Sequence, residues 1–243
     1  MGGKSLKDWE LMKIWGIPLR IHPSWLAIVF FFTWAAQGQI SKTAEAGTPL
    51  WMIWGLGLLT SLLLFISVLF HELGHSFVAL REGVKVRSIT MFFLGGVARI
   101  ERECPTPMGC LRVAIAGPLV SFFLSIFFVE LGKNFSSTYP LLSAQFSLLG
   151  SLNFVLALFN LLPGLPLDGG IILKSLVWHF TGSYRKGLKV ANSSGRFLSF
   201  LAIFIGIWSC LKGAGLGGVW LIMIGSLGLS SSRSQSQILI LQK

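Results

Sequence analysis

Two histidines and a glutamate stand together in "HELGH" (His71 to His75), at the end of a run, "LLLFISVLF", apolar enough to cross a bilayer. The H-E-x-x-H spacing sets His71 and His75 four residues apart on one helical face, where both imidazoles can reach one metal ion with Glu72 beside them. Zinc suits two imidazoles and a carboxylate and leaves one position open. Glu72 then occupies the place of a general base that takes a proton from water as the water attacks a carbonyl carbon. The same five residues also occur on soluble helices, and the alternative is a structural His–Glu cluster that stabilises helix packing.

A third ligand must come from elsewhere. Of nine acidic residues, Asp8, Glu10, Glu45, Glu82, Glu101 and Glu103 fall in segments read as loops or interfaces, and Glu130 ends a span beside Lys133. Glu72 and Asp168 are left at membrane depth, where an ionised group is costly without a partner or a function. Asp168 lies in "NLLPGLPLDGG" (Asn160 to Gly170), whose prolines and glycines interrupt the preceding helix; irregular backbone is tolerated at that depth when protein surrounds it. The alternative is an interfacial turn in which Asp168 caps the helix that follows, "DGGIILKSLVWHF".

The elements that must position these groups follow from composition. With 53% hydrophobic and 12% charged residues and a mean hydropathy of +0.74 over 243 residues, the chain is too apolar for a soluble globule and reads as an integral membrane protein. A hydrocarbon core needs about 20 helical residues per crossing. Six spans are predicted: Pro23–Ile40, Leu50–Phe70 running on to Leu80, Val113–Val129, Leu141–Leu162, Phe197–Leu211 and Gly213–Ser232, with "KGAGLGG" separating the last two. The first 22 residues hold Lys4, Lys7, Lys13 and Arg20 without an apolar core, so the first span reads as retained rather than cleaved.

Basic residues concentrate in alternate loops: the N-terminal stretch, Arg81 to Arg112, and Lys174 to Arg196. Both termini are therefore expected on the cytoplasmic side. Spans two and four would run the same way, bringing "HELGH" and "NLLPGLPLDGG" to similar depth near the cytoplasmic face. The same distribution accounts for the net charge of +11 as contact with lipid headgroups, and no aromatic-basic pattern suited to nucleic acid is found. Cys104, Cys110 and Cys210 read as small apolar filler, and the nine tryptophans as interfacial anchors. His22 and His179 read as interfacial residues, and Gly117-Pro118 as a site of close packing or a kink beside the metal helix. In "VRSITMFFLGGVARIERE" (Val86 to Glu103), β-branched and aromatic residues flanking two glycines predict a strand–turn–strand element.

Taken together, "HELGH" in span two, "AGPLVSF" in span three and "NLLPGLPLDGG" after span four resemble the site-2 protease family of intramembrane zinc metalloproteases, over nearly the whole chain from "GIPLRIHPSW" onward. The resemblance implies one zinc per chain held by His71, His75 and Asp168, with Glu72 as catalytic base. It places Asn160 near the substrate or the oxyanion; the alternative is that Asn160 satisfies backbone groups freed by Pro163. It also implies that the hairpin folds back into the membrane and offers an edge to an unwound substrate strand; the alternative is a simple cytoplasmic hairpin. Implied substrates are single-span membrane proteins, such as anti-sigma factors or tethered transcription factors, or remnant signal peptides.

The expected fold is thus an all-α polytopic membrane protein of about six helices with a membrane-associated β-hairpin between helices two and three. Residues 1–232 are expected to form one protease domain, in a short form without PDZ or cystathionine-synthase-type domains, and 233–243 a short tail that is a candidate truncation point. Three other readings compete: an ion or proton transporter using the His/Glu/Asp cluster, a protease maturing prenylated proteins, and a non-catalytic scaffold held by zinc. The transporter needs no H-E-x-x-H register, the second protease would use glutamate as third ligand, and a structural zinc would take four protein ligands.

Overall fold

The computed structural model describes residues 8–45, 47–92, 95–100, 104–213 and 215–241. Lys4, Lys7, Phe93, Leu94 and residues 101–103 at the end of the expected hairpin lie outside the described residues. The elements run β1 (Trp9–Ile14), β2 (Ile17–Ile21), α1 (Ser24–Thr43), α2 (Leu50–Arg81), β3 (Val86–Phe92), β4 (Gly95–Ile100), α3 (Pro107–Phe135), α4 (Pro140–Asn160), α5 (Asp168–Thr181), α6 (Tyr184–Leu211) and α7 (Gly215–Leu241).

Four of these helices, α2, α3, α4 and α6, are long and apolar enough to cross a membrane, and the chain is an integral membrane protein. The first expected span is present as the 20-residue α1, where Gln37 and Gln39 dilute the apolar run, and the sixth as a shorter apolar stretch, Gly217–Ser232, of α7. Large apolar side chains point outward, among them Phe30, Phe31, Trp34, Trp51, Phe123 and Phe127, as expected of helices solvated by lipid.

The chain divides into two compact units. The first comprises residues 1–103 and 116–157, the second 104–115 and 158–243.

In the first unit, helix packing uses small and hydroxyl residues, since lipid gives apolar side chains no reason to leave it. A Cβ at Gly57 would stand 2.9 Å from the Thr33 carbonyl oxygen, and Ser61 Oγ donates to Val29 O at 3.1 Å, so α1 and α2 approach closely and run antiparallel. Gly74 of α2 lies against Ala116 and Val120 of α3, and Gly150 of α4 against Ser125 and Val129. Thr60 donates to Gln145 (3.1 Å) and Asn153 to Ser67 (3.2 Å), so residue numbers rise together along α2 and α4. These registers agree with spans that alternate in direction.

The same unit holds a four-stranded sheet in the order β1-β2-β3-β4. The expected hairpin is β3–β4, antiparallel, with Phe92 opposite Gly95. The N-terminal hairpin was not expected: β1 and β2 pair antiparallel, Ile14 opposite Ile17, through Trp15 (φ +50) and Gly16 (φ +77). Positive φ at both central residues is the turn whose twist matches paired strands, and tryptophan is an uncommon residue to occupy it. β2 alternates buried Ile17, Leu19 and Ile21 with half-buried Pro18 and Arg20, and pairs parallel with β3. The protein is mostly helical as expected, and the single hairpin expected beside the helices is extended to a four-stranded mixed sheet.

In the second unit, α5 packs against α6, and α6 against α7. Gly187 of α6 lies against the Lys174 carbonyl of α5, and a Cβ at Gly206 would stand 2.7 Å from the Gly218 carbonyl oxygen. Ser232 donates to Asn192 Oδ1 at 2.6 Å. The break expected at "KGAGLGG" is present: α6 ends at Leu211 and Gly213 takes φ +82. Cys104 and Cys110 are buried, and the Cys110 thiol donates to the Cys104 carbonyl at 3.8 Å.

Candidate metal centre

His71 and His75 sit within α2, 4% and 8% exposed. Their Nε2 atoms face each other at 3.2 Å. Tetrahedral zinc with bonds of about 2.0–2.1 Å separates two ligand nitrogens by about 3.3 Å, so the pair is spaced as two ligands of one ion. On the far side of its ring, His71 Nδ1 lies 2.9 Å from Ser121 Oγ of α3. Space for an ion is left by Gly117 of α3: a Cβ there would collide with His75 Nε2 and stand 2.7 Å from His71 Nε2.

Glu72 is half-buried and points to the sheet. A Cβ at Gly96 of β4 would stand 2.5 Å from Glu72 Cγ and 3.1 Å from its Cδ. Gly96, the second residue of β4, is thus where the hairpin makes room for the acid.

The interruption expected between Asn160 and Gly170 is present. α4 ends at Asn160, and the chain turns through Pro163–Leu167 before α5 begins at Asp168. Leu165 N donates to Ala191 O at 3.3 Å, and Ser194 Oγ donates to Pro163 O, tying the turn to α6. Gly195 lies against Leu165, while Cβ atoms at Gly169 and Gly170 would overlap the backbone of Leu161 and of Gly164–Leu165. The two glycines of "LDGG" are therefore explained by backbone on backbone, and they fix the chain directly after the aspartate. The N-cap is Leu167, whose side chain makes no capping bond, so Asp168 stands one position inside the helix, where the helix dipole favours an anion.

His71 and His75 thus offer two ligands to one ion, and Gly117 leaves the room it needs. Asp168, at the start of α5 in the second unit, is the carboxylate that the resemblance names as the third ligand, and two imidazole nitrogens with a carboxylate suit a borderline cation such as zinc. Asn160, the last residue of α4, is half-buried. His22 and His179 belong to local contacts, His22 Nδ1 with Ser24 Oγ at 2.7 Å and the His179 ring with Phe180.

Sequence reading gave Gly96 only a place in a turn, Gly117 a packing or kink role, and Ser121 no role beyond its place in the "AGPLVSF" motif. The available signal was spacing: Gly117 and Ser121 stand four apart, as do His71 and His75.

Residues 59–144 and 133–202 match Peptidase family M50. The chain is 43% identical over 240 residues, 98% of its length and 62% of the relative's, to a Synechocystis protein provisionally named as a zinc metalloprotease. It is 35% identical over 203 residues, 82% of its length and 54% of the relative's, to a zinc metalloprotease of Methanocaldococcus jannaschii. Against the solved structure of a site-2 protease from Methanocaldococcus jannaschii it superposes with a TM-score of 0.62 at 31% identity, covering 95% of each chain. The chain spans about three-fifths of the length of the first curated relatives it matches. The motifs, the fold and the matched residues agree, and the chain belongs to Peptidase family M50, the site-2 protease family.

Proposed function

We propose that this protein is an intramembrane zinc endopeptidase that hydrolyses peptide bonds in or beside transmembrane helices of membrane-anchored substrates. The observation that carries the reading is the pair of buried Nε2 atoms 3.2 Å apart, with room for an ion left by Gly117. His71, His75 and Asp168 would hold one zinc. When bound, the ion supplies a Lewis acid that polarises a carbonyl and makes water easier to deprotonate. Glu72 takes the proton from the attacking water and passes it to the departing amine, a role its half-buried carboxylate suits. Asn160 is assigned to the substrate carbonyl at the end of α4.

The substrate must lose its helix before water can reach an amide, and the β3–β4 hairpin offers it another set of hydrogen bonds. β4 is an edge strand in the sheet order, and Gly96 on it abuts Glu72. A substrate strand added to that edge would run past the base. The helix registers support alternating spans, and the basic residues of alternate loops support cytoplasmic termini with the site near that face. Residues 1–232 are assigned to one catalytic domain. Single-span membrane proteins are the substrate class, the bilayer is the solvent, and nucleic acid has no part. Converging imidazole nitrogens support a metal over a proton relay.

The test is cleavage of a panel of single-span peptides in liposomes by wild type and Glu72→Gln, with zinc measured on both. Cleavage by wild type alone, with about one zinc on each protein, is expected. Zinc-free wild type, or cleavage that survives in Glu72→Gln, would overturn the reading.

A further inference from the structure

α3 meets α2 antiparallel in one strict register: Gly117 lies against His75, Ser121 against His71. Two residues four apart on α3 thus answer the two histidines four apart on α2. Ser121 is fully buried and Ser125, the next residue along that row, is 7% exposed, so the row is internal.

Each member meets a different requirement of a metal-binding imidazole. A neutral histidine has one N–H and one lone pair, and the partner of one nitrogen decides which form is held. With Ser121 Oγ 2.9 Å from Nδ1, a hydroxyl that accepts the Nδ1–H leaves the lone pair on Nε2, the atom that faces His75. Gly117 acts by absence of a side chain, since its Cβ would fall on the space that both Nε2 atoms border.

Resting on the zinc reading above, we propose that Gly117 and Ser121 are positioning residues for the metal: Ser121 fixes the His71 tautomer and ring, and Gly117 keeps the coordination space empty. Neither touches the substrate. A glycine is otherwise a poor residue for the middle of a helix, so alanine at 117 should help helix formation while blocking the ion.

The experiment measures zinc affinity by chelator competition, and cobalt(II) absorption after metal exchange, on purified full-length wild type, Gly117→Ala, Ser121→Ala and Ser121→Thr. Thermal unfolding of the metal-free proteins in detergent accompanies it. Ser121→Ala is expected to weaken zinc binding about 10- to 100-fold, and Ser121→Thr, which keeps the hydroxyl, to restore it. Gly117→Ala is expected to purify without zinc and to show no cobalt spectrum, with the metal-free melting temperature unchanged or raised. Wild-type affinity in Ser121→Ala and Gly117→Ala would overturn this inference and leave the zinc reading standing. Equal weakening in Ser121→Ala and Ser121→Thr, together with a lowered metal-free melting temperature, would reduce Ser121 to packing and overturn its part. Wild type that binds no zinc would overturn both.

Discussion

Replacing Gly96 by alanine tests whether the hairpin sets the position of the catalytic acid. The new methyl would stand 2.5 Å from Glu72 Cγ and 3.1 Å from Cδ. Carbon atoms rest about 3.5–4.0 Å apart, so the glutamate must retreat by about 1 Å or more. The retreat is inexpensive for folding, because Glu72 is a flexible side chain on a half-buried surface. It is costly for chemistry, where a displacement of about 1 Å can reduce rate by about 100-fold, equivalent to about 2.7 kcal/mol of barrier. The assay is the turnover number on a single-span peptide in liposomes, with zinc content measured on the same protein. We expect turnover to fall by about two orders of magnitude at unchanged zinc. Gly55→Ala is the control, since Gly55 lies on the same helix as Glu72 with nothing within 4 Å of its would-be Cβ. Wild-type turnover in Gly96→Ala would refute the placement of the base against β4. Lost zinc would refute the separation of base from ligands.

Two further perturbations address the ligand set and the packing. Asp168→Ala should lose zinc while keeping its helical circular dichroism, because Asp168 stands in the first turn of α5 and alanine is the better helix former; zinc affinity equal to wild type would remove Asp168 from the ligand set. Asn153 is fully buried, donates to Ser67 Oγ and Leu149 O, and keeps an Oδ1 without a partner. Replacing it with leucine of similar size removes about 0.6–1.7 kcal/mol of interhelical hydrogen bonding together with the orphaned oxygen. Asn153→Leu should therefore unfold within about 1 kcal/mol of wild type in a detergent titration, and a loss of several kcal/mol would show that the bond governs α2–α4 packing.

What could be read in advance, and what could not, divides by the range of the interaction. "HELGH" carries its own geometry, since helical spacing alone aligns the histidines. "NLLPGLPLDGG" announces a broken helix because proline and glycine act locally, and the β3–β4 hairpin is legible for the same reason. The N-terminal hairpin was missed because its turn uses Trp15 rather than asparagine or aspartate, and because β2 finds its parallel partner far along the chain. Gly117 and Ser121 have meaning only in the register of α3 against α2, which no local pattern encodes. Of the six expected spans, α1 and α7 are less apolar than the four long helices, α1 because Gln37 and Gln39 dilute it, residues that an uncharged-run criterion passes over.

The parallel pairing of β2 with β3 also fixes an order of assembly. Leu19 pairs with Ile89, a separation of 89 − 19 = 70 residues, and the intervening chain is α1 and α2. A parallel pair cannot close through a tight turn, so this one must wait until both helices have been made and packed antiparallel. β4 has no anchored neighbour until β3 has joined β2. The strand edge assigned to the substrate therefore matures after membrane insertion of α2, and a chain stalled during synthesis would carry its histidines without the surface that presents a peptide to them.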